Sequence, residues 1–370
     1  MRSPFATVTP CQFRLLTLGR KRRFAPFIMS SSPVRIAFDA MGTDRAPSED
    51  VRGAIDALQE MRARGRNFSL ILVGRQSELE PELAKFPAAD RSLISIVNAT
   101  EVIAMDDEPA QAVRSKRDSS IVRGLTLHRE GAADAFVSAG NTGAVMAAST
   151  LILGRIPGIA RPTIASQFPA ADGFTIVADV GANVDTKPRN LYEFGVMASV
   201  YAENIFGYQR PTVGLLNVGE EEGKGEERAV QAYDLLKSSS LNFVGNVEGR
   251  DILKGTVRVV ICDGFTGNII LKFAESVPGL LRAKLTNYAN MSFLKKVMTG
   301  LSKGVLKGVF REMDYQEYGG VPLLGVNGVS IIGHGGSTAK AIKNMIFKAE
   351  EMVRKEVNQK IAVAISSVAK

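Results

Sequence analysis

Histidine and cysteine are scarce in this chain of 370 residues, and their scarcity excludes several kinds of site. The two cysteines, Cys11 and Cys262, lie far apart in the sequence, which argues against a disulfide framework or a cysteine-based metal site. The two histidines, His128 and His334, cannot form an HExxH motif or a histidine-rich site. We therefore expect no bound metal and no other cofactor.

Tryptophan is absent and aromatic residues make up 7% of the chain, which weakens any interpretation as a binder of single-stranded nucleic acid. The longest small or apolar run, residues 144–153, is too short to span a bilayer. Of the net charge of +8, the acid-free residues 1–28 supply +6. The remainder is nearly neutral, so we expect no nucleic-acid partner.

The arginine-rich residues 1–28 lack a clear apolar signal core, so their composition permits a transit peptide. We favour a simpler interpretation, in which residues 1–32 are a disordered extension or follow from a start site assigned upstream of Met29. Residues 33–370 are predicted to form a single α/β catalytic domain.

Strand-like and helix-like segments alternate along that domain. Predicted strands begin with Val34–Phe38 and continue to Val257–Ile261, and they are separated by helices such as Ser48–Arg64, Ala110–Arg129 and Pro188–Phe206. This order predicts a helix-covered, mainly parallel sheet. Ligands of such sheets lie beyond the carboxyl ends of the strands.

Loops rich in glycine, asparagine and aspartate follow many of the predicted strands. The most informative is Ser138–Gly143, where a strand passes through S-A-G-N-T-G into a helix of small residues. The free N–H groups at such a helix start favour an anion. One loop of this kind is usually a plain turn, but we expect five or six to converge on one sheet edge. The loop at residues 219–225 does not match a Walker A motif, and no G-x-G-x-x-G follows the first strand.

Several distinctive sequence blocks follow one another over roughly residues 34–350. They include D-A-M-G-x-D-x-A-P, S-A-G-N-T-G-A, D-V-G-A-N-V-D, L-L-N-V-G-E-E-E-G-K-G, G-N-V-E-G-R-D, C-D-G-F-T-G-N and P-L-L-G-V-N-G. In sequence and order they resemble the blocks of the bacterial acyl-ACP:phosphate acyltransferase family of phospholipid synthesis. The resemblance implies an isocitrate/isopropylmalate-dehydrogenase-like fold and a homodimer. It also implies conversion of acyl-[acyl carrier protein] and inorganic phosphate to acyl phosphate and free acyl carrier protein, feeding glycerol-3-phosphate acylation. The first block departs from the family's Gly-Asp-His, because it reads Thr43-Asp44-Arg45.

The chemistry of this reaction suits the polar residues present. Phosphate is largely a dianion near neutral pH, so it needs no strong base, and no Ser-His-Asp or Cys-His set is evident. The candidates for catalysis, by oxyanion stabilisation or proton transfer to the thiolate, are Asn183, Asn217, Asn268, His334 and Asp44. The candidates for substrate binding are Asp39, Gly42, Arg114, Lys116, Asn141, Thr142, Gly143, Asp185, Lys224, Asn246, Asp263 and Gly267. His334 could equally be a turn residue bonded to backbone, and His128 is predicted to be exposed.

Residues 280–313 are predicted to form a basic amphipathic helical insertion. Its apolar residues recur at helical spacing, and there is no acid from Leu280 through Arg311. Such a helix can lie on an anionic membrane surface, with Lys295, Lys296, Leu301, Lys303 and Lys307 as the contacts. A core-facing helix with a solvated basic face is the commoner case, and docking of acidic acyl carrier protein is a third possibility. We favour a cytoplasmic protein that associates peripherally with the membrane, where the product would reach a membrane glycerol-3-phosphate acyltransferase.

Three other functions fit parts of the sequence. An acyl-CoA:phosphate transferase of the phosphotransacetylase type would share the anion-binding loops, and competition between donors would separate it. A metal-dependent hydroxyacid dehydrogenase would share the fold, but its metal-binding carboxylates are not evident. A non-enzymatic membrane scaffold would need the basic segment but not the glycine–asparagine loops.

Overall fold

The computed structural model describes residues 32–368, and the predicted extension over residues 1–32 lies almost wholly outside them. The strands are β1 Val34–Asp39, β2 Phe68–Gly74, β3 Ile94–Asn98, β4 Ala135–Ser138, β5 Thr163–Pro169, β6 Phe174–Ala178, β7 Thr212–Leu216, β8 Asn242–Val247, β9 Val259–Ile261, β10 Val321–Leu324 and β11 Val329–Ile332. The helices are α1 Ser48–Ala63, α2 Gln76–Ala84, α3 Ala88–Arg91, α4 Pro109–Ser115, α5 Ser120–Arg129, α6 Thr142–Ile152, α7 Pro188–Tyr201, α8 Glu227–Lys237, α9 Gly249–Lys254, α10 Gly264–Asn290, α11 Phe293–Leu301, α12 Lys303–Glu312, α13 Ala339–Arg354 and α14 Val357–Val368.

These strands form one sheet of 11 strands in the order β3-β2-β1-β4-β11-β10-β5-β6-β9-β7-β8. Most neighbours are parallel, and the antiparallel pairs are β11–β10, β10–β5 and β5–β6. The predicted helix-covered, mainly parallel sheet is therefore confirmed. Within residues 32–368, no helix is both long enough and apolar enough to cross a membrane.

The antiparallel pairs at the centre reverse the direction of the sheet. Strands β1–β4, β5 and β11 run one way, whereas β6–β10 run the other. The loops after β1, β4 and β11 therefore leave one edge, and those after β6, β7, β8 and β9 leave the opposite edge. The expectation that all the polar loops converge on one edge is wrong, because the central β10 strand was not foreseen.

Both faces of the sheet are buried, as apolar strands of a helix-covered sheet require. In β1, Ile36 and Phe38 face the core packed by α1 and α13, while Ala37 faces the second core beside α5. Gly53 of α1 packs against α13 so closely that a Cβ there would lie 2.6 Å from the Cβ of Ile342. This pair of helices fixes α13 beneath the first half of the sheet.

Several elements differ from their predicted bounds. The helical stretch predicted over residues 110–129 is broken at residues 116–119, where Ser119 caps α5. The block P-L-L-G-V-N-G contains most of β10 and the turn that leads into β11. The hydrophobic pattern of this hairpin is too weak to predict its strands. The segment over residues 280–313 contains the end of α10 followed by α11 and α12, which break at Ser302.

Candidate active site

A cavity of about 740 Å³ lies alongside α10 and β5. One part of its wall is apolar, with Met146, Ile164, Phe168, Leu253, Leu271, Ala274, Val277, Pro278 and Val321 among the lining residues. Another part carries polar groups and glycines, namely Thr142, Gly143, Gly181, Asn268, Gly333, His334 and Ser337. A cavity of this size and mixed character is typical of a site for a small organic ligand.

The start of α6 contributes to the polar part of the wall. Asn141 caps this helix, because its Oδ1 accepts a hydrogen bond from the N–H of Ala144 at 3.0 Å. Its Nδ2 donates to the carbonyls of Ala104, Met105 and Asp107 at 3.1–3.2 Å. The amide of Asn141 therefore holds the loop beside α6, and Thr142 and Gly143 present the helix start to the cavity.

Asp39 and Gly42 lie behind this loop and do not line the cavity. The Asp39 carboxylate accepts hydrogen bonds from the Ser138 hydroxyl at 2.7 Å and the Met41 N–H at 3.1 Å. A Cβ on Gly42 would lie 2.6 Å from the nitrogen of Gly140. Both residues thus shape the turn that leads into α6. Burial raises the pKa of Asp39.

Asp50 is a buried carboxyl that sequence reasoning missed. Thr43 donates a hydrogen bond to its Oδ2, and its Oδ1 has no partner among the described residues. Burial raises the pKa of Asp50 to about 7, and the nearby Asp39 adds to the shift. Only the position of Asp50 on the inner face of α1 could have signalled it, because an aspartate in the first turn usually faces solvent.

His334 lines the cavity from the loop after β11. This loop is adjacent to the α6 loop, since the Gly333 N–H donates to the Ser138 carbonyl at 2.7 Å. His334 Nδ1 accepts from the Gly336 N–H at 3.0 Å, so a neutral ring carries its proton on Nε2. The N–H of Asp44 donates to the Gly335 carbonyl at 2.8 Å, which places Asp44 beside the histidine loop. Arg45 is exposed and pairs with Glu49 at 3.7 Å.

From the opposite sheet edge, Asn268 lines the cavity while Asn183 does not. The Asn183 amide donates to the Pro162 carbonyl at 2.7 Å and to Asp179 at 2.9 Å. Asp179 also accepts three backbone N–H groups, and burial raises its pKa. Asn183 therefore organises the loop after β6, in which a Cβ on Gly181 would lie 3.6 Å from Asn268 Oδ1.

Asp263 and Gly267 fix the start of α10. Asp263 caps the helix by accepting hydrogen bonds from the N–H and hydroxyl of Thr266, and it pairs with Arg228 at 3.4 Å. A Cβ on Gly267 would lie 1.8 Å from the carbonyl oxygen of Asp179, so only glycine permits this close approach. Both residues position Asn268 without lining the cavity.

Asn217, Asn246 and Lys224 form a separate cluster that does not line the cavity. The side-chain amide of Asn217 donates to the Lys224 carbonyl at 2.8 Å, and that of Asn246 donates to the Glu221 carbonyl at 2.7 Å. The Lys224 ammonium is exposed, 3.9 Å from Glu221. The asparagines close the loop at residues 219–225, as turn-forming amides do.

The remaining predicted residues also lie outside the cavity lining. Lys116 binds Asp107 at 2.5 Å and the Val102 carbonyl at 3.1 Å, so it supports the same loop as Asn141. Arg114 and Asp185 are exposed, and their side chains form no hydrogen bond or ion pair with other described residues. The prediction that His128 is exposed is wrong. It is half-buried against Gly328, and its Nδ1 lies 3.0 Å from the Ala133 carbonyl.

Solved structures with a similar fold include two transferases. The structure superposes on a phosphotransacetylase from Streptococcus pyogenes with a TM-score of 0.58 and 17% identity, covering 87% of this chain and 94% of that one. It also superposes on a branched-chain phosphotransacylase from Enterococcus faecalis with a TM-score of 0.54 and 12% identity, covering 86% and 99%. The molecule therefore has the fold of the phosphotransacylases.

Sequence comparison narrows this class to a family. Residues 34–360 match the family model described as fatty acid synthesis protein. A phosphate acyltransferase of Heliobacterium modesticaldum is 50% identical over 321 residues, which cover 87% of this chain and 94% of that protein. A phosphate acyltransferase of Chlorobaculum parvum is 46% identical over 340 residues, covering 90% and 98%. The chain belongs to this family of fatty acid synthesis proteins, and it is a transferase.

Proposed function

We propose that the protein transfers a fatty acyl group from acyl-[acyl carrier protein] to inorganic phosphate, giving acyl phosphate and free acyl carrier protein. The observation that carries this proposal is a single cavity that combines a long apolar wall with a helix start and a histidine. The apolar wall suits an acyl chain, and the helix start suits an anion. The names of the relatives support transfer to phosphate.

The reaction needs no covalent enzyme intermediate. A phosphate oxygen attacks the thioester carbonyl carbon, and the resulting oxyanion collapses with cleavage of the carbon–sulfur bond. In this proposal the N–H groups of Thr142 and Gly143 hold phosphate and Asn268 donates to the oxyanion, and all three residues line the cavity. His334, with its proton on Nε2, protonates the departing thiolate in this proposal.

The product is an amphiphile with an apolar chain, and we propose that it is passed to glycerol-3-phosphate acylation in phospholipid synthesis. The protein would then work at the cytoplasmic membrane surface. The side chains of Phe293, Leu294, Leu301 and Val305 on α11 and α12 are each at least 68% exposed, which suits insertion into a bilayer. Lys296, Lys303 and Lys307 line a neighbouring cleft, while Lys295 lies over the ring of Tyr288.

The proposed homodimer would use the free face of α10. Phe265, Ile269 and Phe273 recur every four residues on this helix and are 54–71% exposed. Such a stripe is larger than the scattered apolar residues of ordinary surfaces. A second copy of the chain would cover it.

The experiment that tests the reaction is phosphate-dependent consumption of palmitoyl-[acyl carrier protein] by the purified chain, with acyl phosphate trapped as the hydroxamate. We expect hydroxamate only when phosphate is present. Palmitoyl-CoA in a parallel assay tests the alternative donor, and its preferred use would replace the carrier-protein assignment. Failure with both donors, in the wild type and in Arg45→His, would refute the proposed function.

A further inference from the structure

Lys348 is a buried lysine whose ammonium lies behind the wall of the cavity. It projects from α13 and is only 9% exposed. Its Nζ donates to the Gly320 carbonyl at 2.8 Å and to the Gln167 Oε1 at 3.3 Å. Gln167 and Gly320 both line the cavity, whereas Lys348 itself does not.

The lysine bridges a gap between two strands. β5 and β10 are paired at Ile164–Leu323 and Thr163–Leu324. Continuation of that register would set Gln167 opposite Gly320, but no pairing is present there, and Lys348 connects the two instead. Burial lowers the pKa of Lys348 to about 7, while Glu351 acts in the opposite direction. The hydrogen bonds to the Gly320 carbonyl and to Gln167 Oε1 therefore offset part of the desolvation cost of burying the lysine.

This contact fixes which way the Gln167 amide points. Lys348 Nζ donates to Gln167, and an amide accepts only through its oxygen, so Oε1 faces the lysine. The Nε2 group, with two donors, is left without a hydrogen bond to any residue in the described range. Gln167 is one of the residues that line the cavity, so an Nε2 group without a partner is open to a ligand there.

We propose that Gln167 binds an oxygen atom of the acyl donor through Nε2, and that Lys348 is the positioning residue that orients it. This inference rests on the proposed function. Gln167 then determines specificity, because an amide donor in a largely apolar wall favours a ligand that carries a carbonyl oxygen at that point.

The decisive variant is Gln167→Glu. It keeps the oxygen that accepts from Lys348 but replaces the donating Nε2 with a second oxygen, so the fold has no reason to fail. We expect the KM for the acyl donor to rise about tenfold, with a smaller change in kcat and with the KM for phosphate unchanged. Gln359→Glu introduces the same charge on the exposed face of α14 and serves as the matched control.

A second pair of variants tests the positioning role. Lys348→Arg keeps a donor to Gln167 and should retain most of the affinity for the acyl donor. Lys348→Met releases the amide, and should raise the KM for the acyl donor less than Gln167→Glu does. Binding of a non-reactive thioether analogue of the acyl donor, measured by calorimetry, reports the same contact without turnover.

The proposal is overturned if Gln167→Glu is folded and binds both donor and analogue as tightly as the wild type. It is equally overturned if Lys348→Met raises the KM for phosphate and that for the donor alike. If the wild type binds the analogue but forms no acyl phosphate, the proposed function fails while the Gln167 contact is still tested by the analogue.

Discussion

Asp50 is a single carboxyl whose burial affects the stability of the whole protein. No positively charged group among the described residues pairs with it, and burial raises its pKa to about 7 from an ordinary value of 3.8. Between about pH 4 and pH 7, the folded protein therefore keeps a proton on Asp50 that the unfolded chain has already lost. The stabilising contribution of protonated Asp50 is full below pH 4 and is lost as the pH rises towards 7.

Replacement of Asp50 by asparagine should remove this dependence. Between the two pKa values each pH unit costs the wild type about 1.4 kcal/mol in free energy of unfolding. We expect Asp50→Asn to gain stability relative to the wild type between pH 5 and pH 8, as measured by urea unfolding at both pH values. The exposed Asp234→Asn is the control, and an equal shift in that variant would contradict the assignment to Asp50.

Asn141 stabilises a loop rather than reaching into the cavity. Its side chain makes four hydrogen bonds to backbone, so Asn141→Ala removes a helix cap and leaves three carbonyls without their donor. We expect a loss of about 1–3 kcal/mol in urea unfolding and a raised KM for phosphate. Asn242→Ala, which loses one hydrogen bond at the surface, is the control. An unchanged KM for phosphate in Asn141→Ala would remove the α6 start from phosphate binding.

Residue types in the sequence showed where polar loops lie but not which side chains face the cavity. Asparagine and aspartate serve both as ligand contacts and as loop supports. Here the side-chain amides of Asn183, Asn217 and Asn141 donate hydrogen bonds to backbone carbonyls. Gln167 was missed because a lone glutamine in a strand has no distinguishing pattern. Its significance depends on a contact with Lys348, 181 residues away.

Among the elements, α11 and α12 are longer helices whose surfaces the fold does not explain, because neither contains a buried residue. If they lie on an anionic membrane, neutralising Lys295, Lys296, Lys303 and Lys307 should abolish sedimentation with anionic vesicles. Each lysine near such a surface contributes about 1 kcal/mol. A variant with Lys85, Lys237, Lys254 and Lys360 neutralised is the matched control. Unaltered sedimentation of the first variant would refute the membrane role.

Most elements were predictable because their apolar runs are clear, and the α4–α5 break and the β10–β11 hairpin were not. A polar break within a helical stretch depends on caps such as Ser119, which look like ordinary helix residues in sequence. Strands of four residues, such as β10 and β11, give too few positions for a period to be recognised.

At the scale of the whole molecule, the apolar stripe of α10 predicts self-association. Phe273→Asp places a charge at the most exposed residue of that stripe, and we expect it to convert a dimer into a monomer in light scattering after size exclusion. Val363→Asp changes an equally exposed valine on α14 and should leave the dimer intact. A wild type that is monomeric at micromolar concentration would rule out the α10 interface.

The overall α/β class followed from the alternation of elements, but the reversal of the sheet did not. That reversal depends on β10 and β11, which lie late in the chain and in the middle of the sheet. Local patterns carry no information on where a distant segment inserts. Only the three-dimensional structure therefore shows which polar loops lie at one edge of the sheet and which lie at the opposite edge.

The central position of β10 and β11 also bears on how the chain acquires its structure during synthesis. The ribosome completes β1 to β4 and β5 to β9 before residues 321–332 emerge, and until then β4 and β5 have no strand between them. Until then, β4 and β5 are unpaired edge strands of two separate half-sheets, and such edges can pair wrongly with other nascent chains. Release of the last segment then joins the halves, so closure of the sheet is a late event of high contact order.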